Sequence, residues 1–512
     1  GLIDDIKGKT VYFSLRGKIQ IPVKEEKFNI KFYPCRIPFR YQYEALKRIS
    51  NTDHILNCLF PTGNQNSHLS NCSVFNKFCS LEFFNESVKN NPEQAQAVRN
   101  IVNGGNISMP FILFGPPGTG KSTTILESVL QLWKMKTSSK ILITSGSNAA
   151  CDEVAKRLCK IFEEIDCEGF NLLRIYATSS GKKMDNTEEI LVETSNYAYG
   201  EHFYPGLESI YQYRIIVATL TICGKLVQAN ISDNYFSHII IDECAASTES
   251  EALVGIAGLM GPNTKLILSG DPKQLGPVLK CMPAQHFGFD ISMMERLLNL
   301  QCYAVDPDTN NYDKSILAIL LRNFRSNAGI LAIANKLCYN SQLLAHAKKE
   351  LTDWVHKWKN LPSKNCPIIF YNVYGQTERE DGGTSSMNSK EVDIVMDFVR
   401  DILENGINGR NVEQQEIGII SPYKKQYGEI RKQLDSNGWF KVETGSAETF
   451  QGQEKPIIII STVKSFTRYI GFLDNLKVSS LFFIIMNSLW YYLIIQFTVN
   501  IILLLLAFNL LL

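Results

Sequence analysis

Phe111-Ile-Leu-Phe-Gly-Pro-Pro-Gly-Thr-Gly-Lys-Ser122 decides the fold. Four apolar residues read as a short buried strand. The next eight fit G-x-x-x-x-G-K-[ST], and a helical pattern follows from Ser122. A strand entering a glycine-rich turn that opens a helix is a phosphate cradle. Its glycines let backbone N–H groups wrap a β-phosphate, and the helix N-terminus adds positive potential. Gly115, Pro116, Pro117, Gly118, Thr119, Gly120, Lys121, Ser122 and Thr123 are therefore expected to bind ATP. Lys121 is expected to reach the β- and γ-phosphates, and Ser122 to ligate Mg²⁺.

Further motifs suit the same ligand. Ile239-Ile-Ile-Asp242-Glu243 is an apolar strand ending in two carboxylates. Asp242 suits Mg²⁺, directly or through water, and Glu243 suits the base that orients an attacking water. In Gly270-Asp271-Pro272-Lys273-Gln274 the Gln274 amide is placed to sense a γ-phosphate, although an ordinary Asp-Pro turn has the same composition. Asn91-Pro92-Glu93-Gln94 precedes the loop. Gln94 suits an adenine edge, or the N3 position of a capping box begun by Asn91.

Outward from the loop, short apolar runs recur at Lys140–Thr144, Ile215–Thr219, His238–Ile241, Lys265–Ser269, Pro367–Val373, Ile417–Ser421 and Ile457–Thr462. Helical patterns lie between them at Ser122–Trp133, Ala149–Phe162, Ser247–Leu259, Ala328–Tyr339, Lys390–Glu404 and Lys424–Leu434. This alternation predicts an α/β chain with parallel sheets. The expected division is a first ATP-binding domain over 89–305, a second over 306–475, and an accessory region over 1–88. The accessory region reads as a small β-barrel from Val11–Leu15, Lys18–Val23 and Phe28–Phe32, followed by linking segments.

Composition narrows the classes. The chain has 512 residues, with Lys+Arg 52 against Asp+Glu 51, a net charge of +1. That excludes a highly basic, histone-like binder but not a local basic groove. With 20% charged and 45% hydrophobic residues, wholesale disorder is excluded. The 13 cysteines contain no C-x-x-C pair, so no structural zinc is expected, and their odd count suits a reducing compartment. The first residue, Gly1, suggests a fragment with an N-terminus missing.

The sequence resembles the superfamily 1 helicases of the nonsense-mediated-decay helicase group. Within that group it is most similar to the Armitage helicases and their Moloney leukaemia virus ten homologues. Besides the loop, the resemblance is carried by Ser147-Asn-Ala-Ala-Cys-Asp152, Asp242-Glu-Cys244, Gly258-Leu-Met260 and Ser269-Gly-Asp-Pro-Lys-Gln-Leu-Gly-Pro277. It continues through Arg322-Asn-Phe-Arg-Ser326, Ile420-Ser-Pro-Tyr-Lys-Lys-Gln426, Glu448-Thr-Phe-Gln-Gly-Gln-Glu454 and Gly471-Phe-Leu473. It implies two RecA-like domains with ATP between them, 5′→3′ translocation on single-stranded RNA, and a role in RNA silencing through the piRNA pathway. Argonaute/Piwi-class partners and a cytoplasmic, granule-associated location are implied by the resemblance only. It further implies that Arg325 touches the γ-phosphate, that Phe324 faces the adenine where relatives have Tyr, and that Glu454 binds the ribose. Ser147, Asn148, Thr219, Thr221, Pro422 and Tyr423 lie at strand ends, where small polar groups bond phosphates and sugars and a tyrosine stacks a base.

The resemblance stops after Asn475. Relatives continue with a Pro-(Lys/Arg)-Arg motif that brings a second arginine to the γ-phosphate. Here Leu476-Lys-Val-Ser479 leads into a tail, Val478–Leu512, without a charged residue. A retained intron is one reading, since Lys-Val-Ser can be encoded by a splice-donor sequence and the tail favours residues with A/T-rich codons. A membrane anchor and a divergent domain ending are the others, and membrane contact is expected only if the tail is an anchor. The expectation is that residues 476–512 are foreign to the fold, leaving the second domain truncated and the chain impaired as an ATPase. An ATP-gated RNA clamp without efficient hydrolysis and a related DNA helicase remain alternatives.

Overall fold

The computed structural model describes residues 2–7, 10–14, 35–61, 81–103, 109–165, 171–179, 189–279, 281–309, 311–362, 367–373, 375–379, 385–450, 453–463 and 486–494. Its main body is α/β, with two all-parallel sheets. The first has seven strands in the order Leu317–Ile319, Phe111–Phe114, Lys265–Gly270, His238–Ile241, Ile141–Ser145, Ile215–Thr219, Leu172–Ile175. Successive side chains point to opposite faces. Ile112, Leu142, Ile216, Ile239 and Leu266 enter one core, while Leu113, Ile143, Val217, Ile240 and Ile267 enter another on the other face. Burial on both faces is why these strands read as unbroken apolar runs rather than alternating ones.

Leu172–Ile175 escapes that rule because its third residue is charged. Arg174 is fully buried, its Nε donates to Asp152 Oδ1 at 2.9 Å, and its guanidinium lies 4.0 Å from the Tyr176 ring centroid. The edge strand Leu317–Ile319 comes from beyond residue 305, so the first sheet extends past the expected boundary. Helices Ile37–Ile49 and Asp53–Leu59 pack onto the first domain through Tyr41, Ala45, Ile49, Ile55 and Leu59.

The second sheet has the order Ile368–Asn372, Met486–Ile494, Lys455–Ser461, Ile417–Ile420, Glu443–Gly445. Ile420, Ile458 and Ile460 face one core; Ile417, Ile419, Ile457 and Ile459 face the other. Met486–Ile494, expected to be foreign to the fold, lies between two strands and pairs with both, Ile458 opposite Trp490 on one side and Ile368 opposite Trp490 on the other. The second sheet therefore includes a strand from beyond residue 475. Among the described residues no helix is long and apolar enough to cross a membrane.

The accessory region shows one antiparallel pair, Leu2–Lys7 with Thr10–Ser14. The expected strands at Lys18–Val23 and Phe28–Phe32, and with them the barrel, lie outside the described residues.

Candidate nucleotide site and nucleic-acid edge

Chain order scatters the motifs, but the first sheet sets them side by side. The phosphate loop follows Phe111–Phe114. Asp242 and Glu243 follow His238–Ile241, Asp271 and Gln274 follow Lys265–Gly270, and residues 320–325 follow Leu317–Ile319. These four strands are contiguous, so their carboxyl ends make one cradle, where parallel sheets place ligands. A cavity of about 710 Å³ opens there. Its walls include Gln94, Pro117, Gly118, Gly120, Lys121, Ser122, Thr123, Asp242, Glu243, Gln274, Phe324, Arg325 and Glu454.

The loop is shaped for an anion. Gly118 and Gly120 have φ of +74° and +88°, and Gly120 caps the helix Lys121–Met135 without a side-chain bond, leaving the first-turn N–H groups to a ligand. Thr119 is buried in the loop, its hydroxyl donating to the Pro116 carbonyl at 2.6 Å. Gly115 and Pro116 likewise shape the loop rather than line the cavity. Lys121 Nζ donates to the Gly115 carbonyl at 2.5 Å. Withdrawal from solvent holds this ammonium below the usual lysine range, opposed by Asp271 and Asp242.

The carboxylates differ in setting. Glu243 has φ of +51°, and its N–H donates to Asp242 Oδ1 at 3.0 Å. Burial, with Asp242 adding, pushes the Glu243 carboxyl up to about 7, while Lys121 pulls it down. A proton acceptor near neutrality suits a general base. Asp271 accepts from Gln274 Nε2 at 2.7 Å and from the Tyr339 hydroxyl of the second domain at 2.7 Å. Burial raises its carboxyl, against the pull of Lys121. Ser122 and Asp242 supply the hard oxygen donors that Mg²⁺ takes, beside the loop that would hold the phosphates. Arg325 Nε is buried without a hydrogen-bond partner, a donor suited to an anionic ligand. These residues fit Mg²⁺-ATP.

Gln94 is nearly fully buried. Its Oε1 accepts from Asn91 Nδ2 at 2.9 Å, and its Nε2 donates to the Gly120 carbonyl at 3.0 Å and to Thr124 Oγ1 at 2.9 Å. Asn91 Oδ1 accepts from Gln94 N at 3.4 Å, which is half of the expected capping box, while the Gln94 side chain bonds the Asn91 amide and braces the loop. Arg325 and Glu454, expected on phosphate and ribose, form an ion pair with each other. Phe324 keeps 43% of its surface exposed, enough for a flat ligand to stack. Sequence reasoning missed Arg157, whose Nη2 donates to Thr123 Oγ1 at 3.1 Å, and His346 and Lys348 on the cavity wall. They sit outside any motif, and nothing in their spacing marks them.

The expected nucleic-acid residues fall mainly on the next two strands. Ser145 pairs with Thr219, which brings Ser147 and Asn148 beside Thr219 and Thr221 at one sheet edge. Ser147 caps the helix Asn148–Glu164, accepting from Ala150 N at 3.1 Å. Asn148 Oδ1 accepts from Arg174 Nη2 at 2.9 Å, so the buried Arg174–Asp152 pair orients it. Thr219 is nearly buried and Thr221 exposed. Pro422 and half-buried Tyr423 follow Ile417–Ile420 in the second sheet.

Two family models, each described as an AAA domain, match residues 89–203 with 206–282, and residues 289–480. The chain is 35% identical over 471 residues to a putative helicase mov-10-B.1 from Danio rerio, covering 88% of this chain and 45% of that protein. It is 34% identical to the RNA helicase Mov10l1 of Mus musculus, over 77% of this chain and 33% of that one. It is 28% identical to the probable RNA helicase armi of Drosophila melanogaster, over 91% and 41%. The chain thus spans half or less of the length of these curated relatives.

Proposed function

Because the chain is a homologue of the MOV-10, Mov10l1 and Armitage helicases, we propose that it is an ATP-dependent RNA helicase that translocates 5′→3′ on single-stranded RNA. The observation that carries this reading is one cavity lined by the phosphate loop, by Asp242 and Glu243, and by Arg325 from beyond the first sheet. Mg²⁺-ATP supplies the phosphoanhydride to be cleaved. Lys121 and the loop amides hold its phosphates, Ser122 and Asp242 hold the cation, and Glu243 orients water and takes its proton. Arg325 spreads donors toward developing charge, and Gln274 reports the terminal phosphate to Asp271. Phe324 faces the base and Glu454 the ribose. Ser147, Asn148, Thr219, Thr221, Pro422 and Tyr423 hold the RNA by backbone and stacking, without reading sequence.

Service in RNA silencing with Argonaute/Piwi-class partners, in cytoplasmic granules, is proposed on the same relationship. A second reading, an ATP-gated RNA clamp, is favoured by one feature: Leu476-Lys-Val-Ser479 stands where the family has the Pro-(Lys/Arg)-Arg motif of its second phosphate-facing arginine. Turnover by this chain is accordingly proposed to be weak. Glu243→Gln separates motor from clamp. It is expected to bind ATP, to lose turnover, and to hold a labelled single-stranded RNA longer in ATP than the parent does. Equal turnover and equal RNA lifetime in parent and variant would refute hydrolysis-driven release.

A further inference from the structure

Asn323 belongs to no expected role, yet it ties the phosphate loop to Arg325. Its side chain is nearly fully buried. Nδ2 donates to the Pro117 carbonyl at 2.8 Å. Oδ1 accepts from the backbone N–H of Arg325 at 3.0 Å and of Ser326 at 2.8 Å. The two ends of one amide thus grip the loop on one side and the arginine's own backbone on the other.

The neighbouring contacts repeat the pattern. Phe324 N donates to the Gly118 carbonyl at 2.7 Å. A Cβ added at Gly118 would lie 2.5 Å from Arg325 Cβ and 3.0 Å from Asn323 Nδ2. The loop's glycine is therefore required by the arginine segment as well as by its own φ of +74°. On the far side, the Asn323 carbonyl accepts from His346 N at 2.7 Å, which fixes the segment from behind.

We propose that Asn323 is a positioning residue that makes the placement of Arg325 depend on the phosphate loop. The second domain's phosphate-facing arginine is then set by the same loop that holds the nucleotide. A buried amide bonded at both ends has no solvent to replace a lost partner, so its removal frees the arginine segment, while Gln94 and Lys121 still brace the loop. This inference rests on the proposed reading of Arg325 as a ligand of the terminal phosphate.

The test uses the full chain and titrates Mg²⁺-ADP and Mg²⁺-ATPγS into parent, Asn323→Ala and Asn323→Asp. Only ATPγS carries a γ-group, a thiophosphate, to meet Arg325. Both variants are expected to weaken ATPγS about tenfold and to leave ADP within about twofold. Asp keeps an acceptor for the two N–H groups but loses the donor to Pro117. A matching loss in Asp therefore assigns the effect to the link with the loop, and Asp carries the test if Ala does not fold. In an Arg325→Ala background, neither substitution should add to the ATPγS loss. An unchanged ATPγS-to-ADP ratio, parent-like behaviour of Asn323→Asp, or a full additional loss without Arg325 would overturn the proposal. A parent that binds neither nucleotide would overturn the nucleotide site itself.

Discussion

At the residue scale, the chemistry turns on how burial sets charge. Glu243 lies in a desolvated strand end beside Asp242, and its carboxyl titrates near 7 instead of at the ordinary 4.5. Only the ionised form accepts a proton. Below about 7 the base is increasingly protonated, so kcat/KM for ATP, which reports the free enzyme, should rise as pH increases through 7 and level off above it. A pH profile of ATP hydrolysis checks this; a profile flat from pH 6 to 8 would place the base elsewhere. The position of this residue, at the end of an apolar strand and beside the phosphate loop, was legible in the sequence from the Asp-Glu pair that closes an apolar run. Its left-handed φ and its raised titration were not, since both depend on neighbours brought by other strands. Gln94 illustrates the converse. Sequence offered an adenine edge or a helix cap for one amide, and its bonds to Asn91, Gly120 and Thr124 add a brace for the loop that neither motif announces.

At the element scale, strands buried on both faces announce themselves as apolar runs, and eight such runs coincide with observed strands. Those missed have local reasons. Arg174 interrupts Leu172–Ile175 and is neutralised by Asp152, a partner on a helix that no pattern within the strand reveals. Leu317–Ile319 spans only three residues inside a longer apolar stretch. Met486–Ile494 lies in a tail whose composition suits a membrane anchor, a divergent domain ending or a translated intron alike. Its place between Ile368–Asn372 and Lys455–Ser461 makes it the strand through which Ile368–Asn372 joins the sheet. Truncation after residue 485 should expose the edge of Lys455–Ser461 and strip Ile368–Asn372 of its partner. The expected outcome is a lower-temperature unfolding transition and aggregation of the second domain, read by calorimetry and sedimentation. An identical unfolding profile for the truncated chain would show that the tail strand contributes nothing to the sheet.

At the scale of the whole molecule, the two parallel sheets divide the labour. Four contiguous strand ends of the first sheet carry the residues proposed to hold the phosphates and the cation and to act as base. The next two carry the polar residues expected to meet RNA. Contacts across the domains, Asn323 to Pro117 and Tyr339 to Asp271, bring the second sheet's domain to the same cavity. Motion between the domains would therefore be felt by the nucleotide and by the strand-end edge together. All of this requires that the cavity is an ATP site built on the phosphate loop. The most direct measurement is equilibrium titration of a fluorescent ATP analogue with Mg²⁺ into the parent chain and Lys121→Ala. Saturable binding by the parent, weakened about tenfold or more in Lys121→Ala, a loss of at least about 1.4 kcal/mol, is the predicted result. Equal affinity in the two proteins would contradict it.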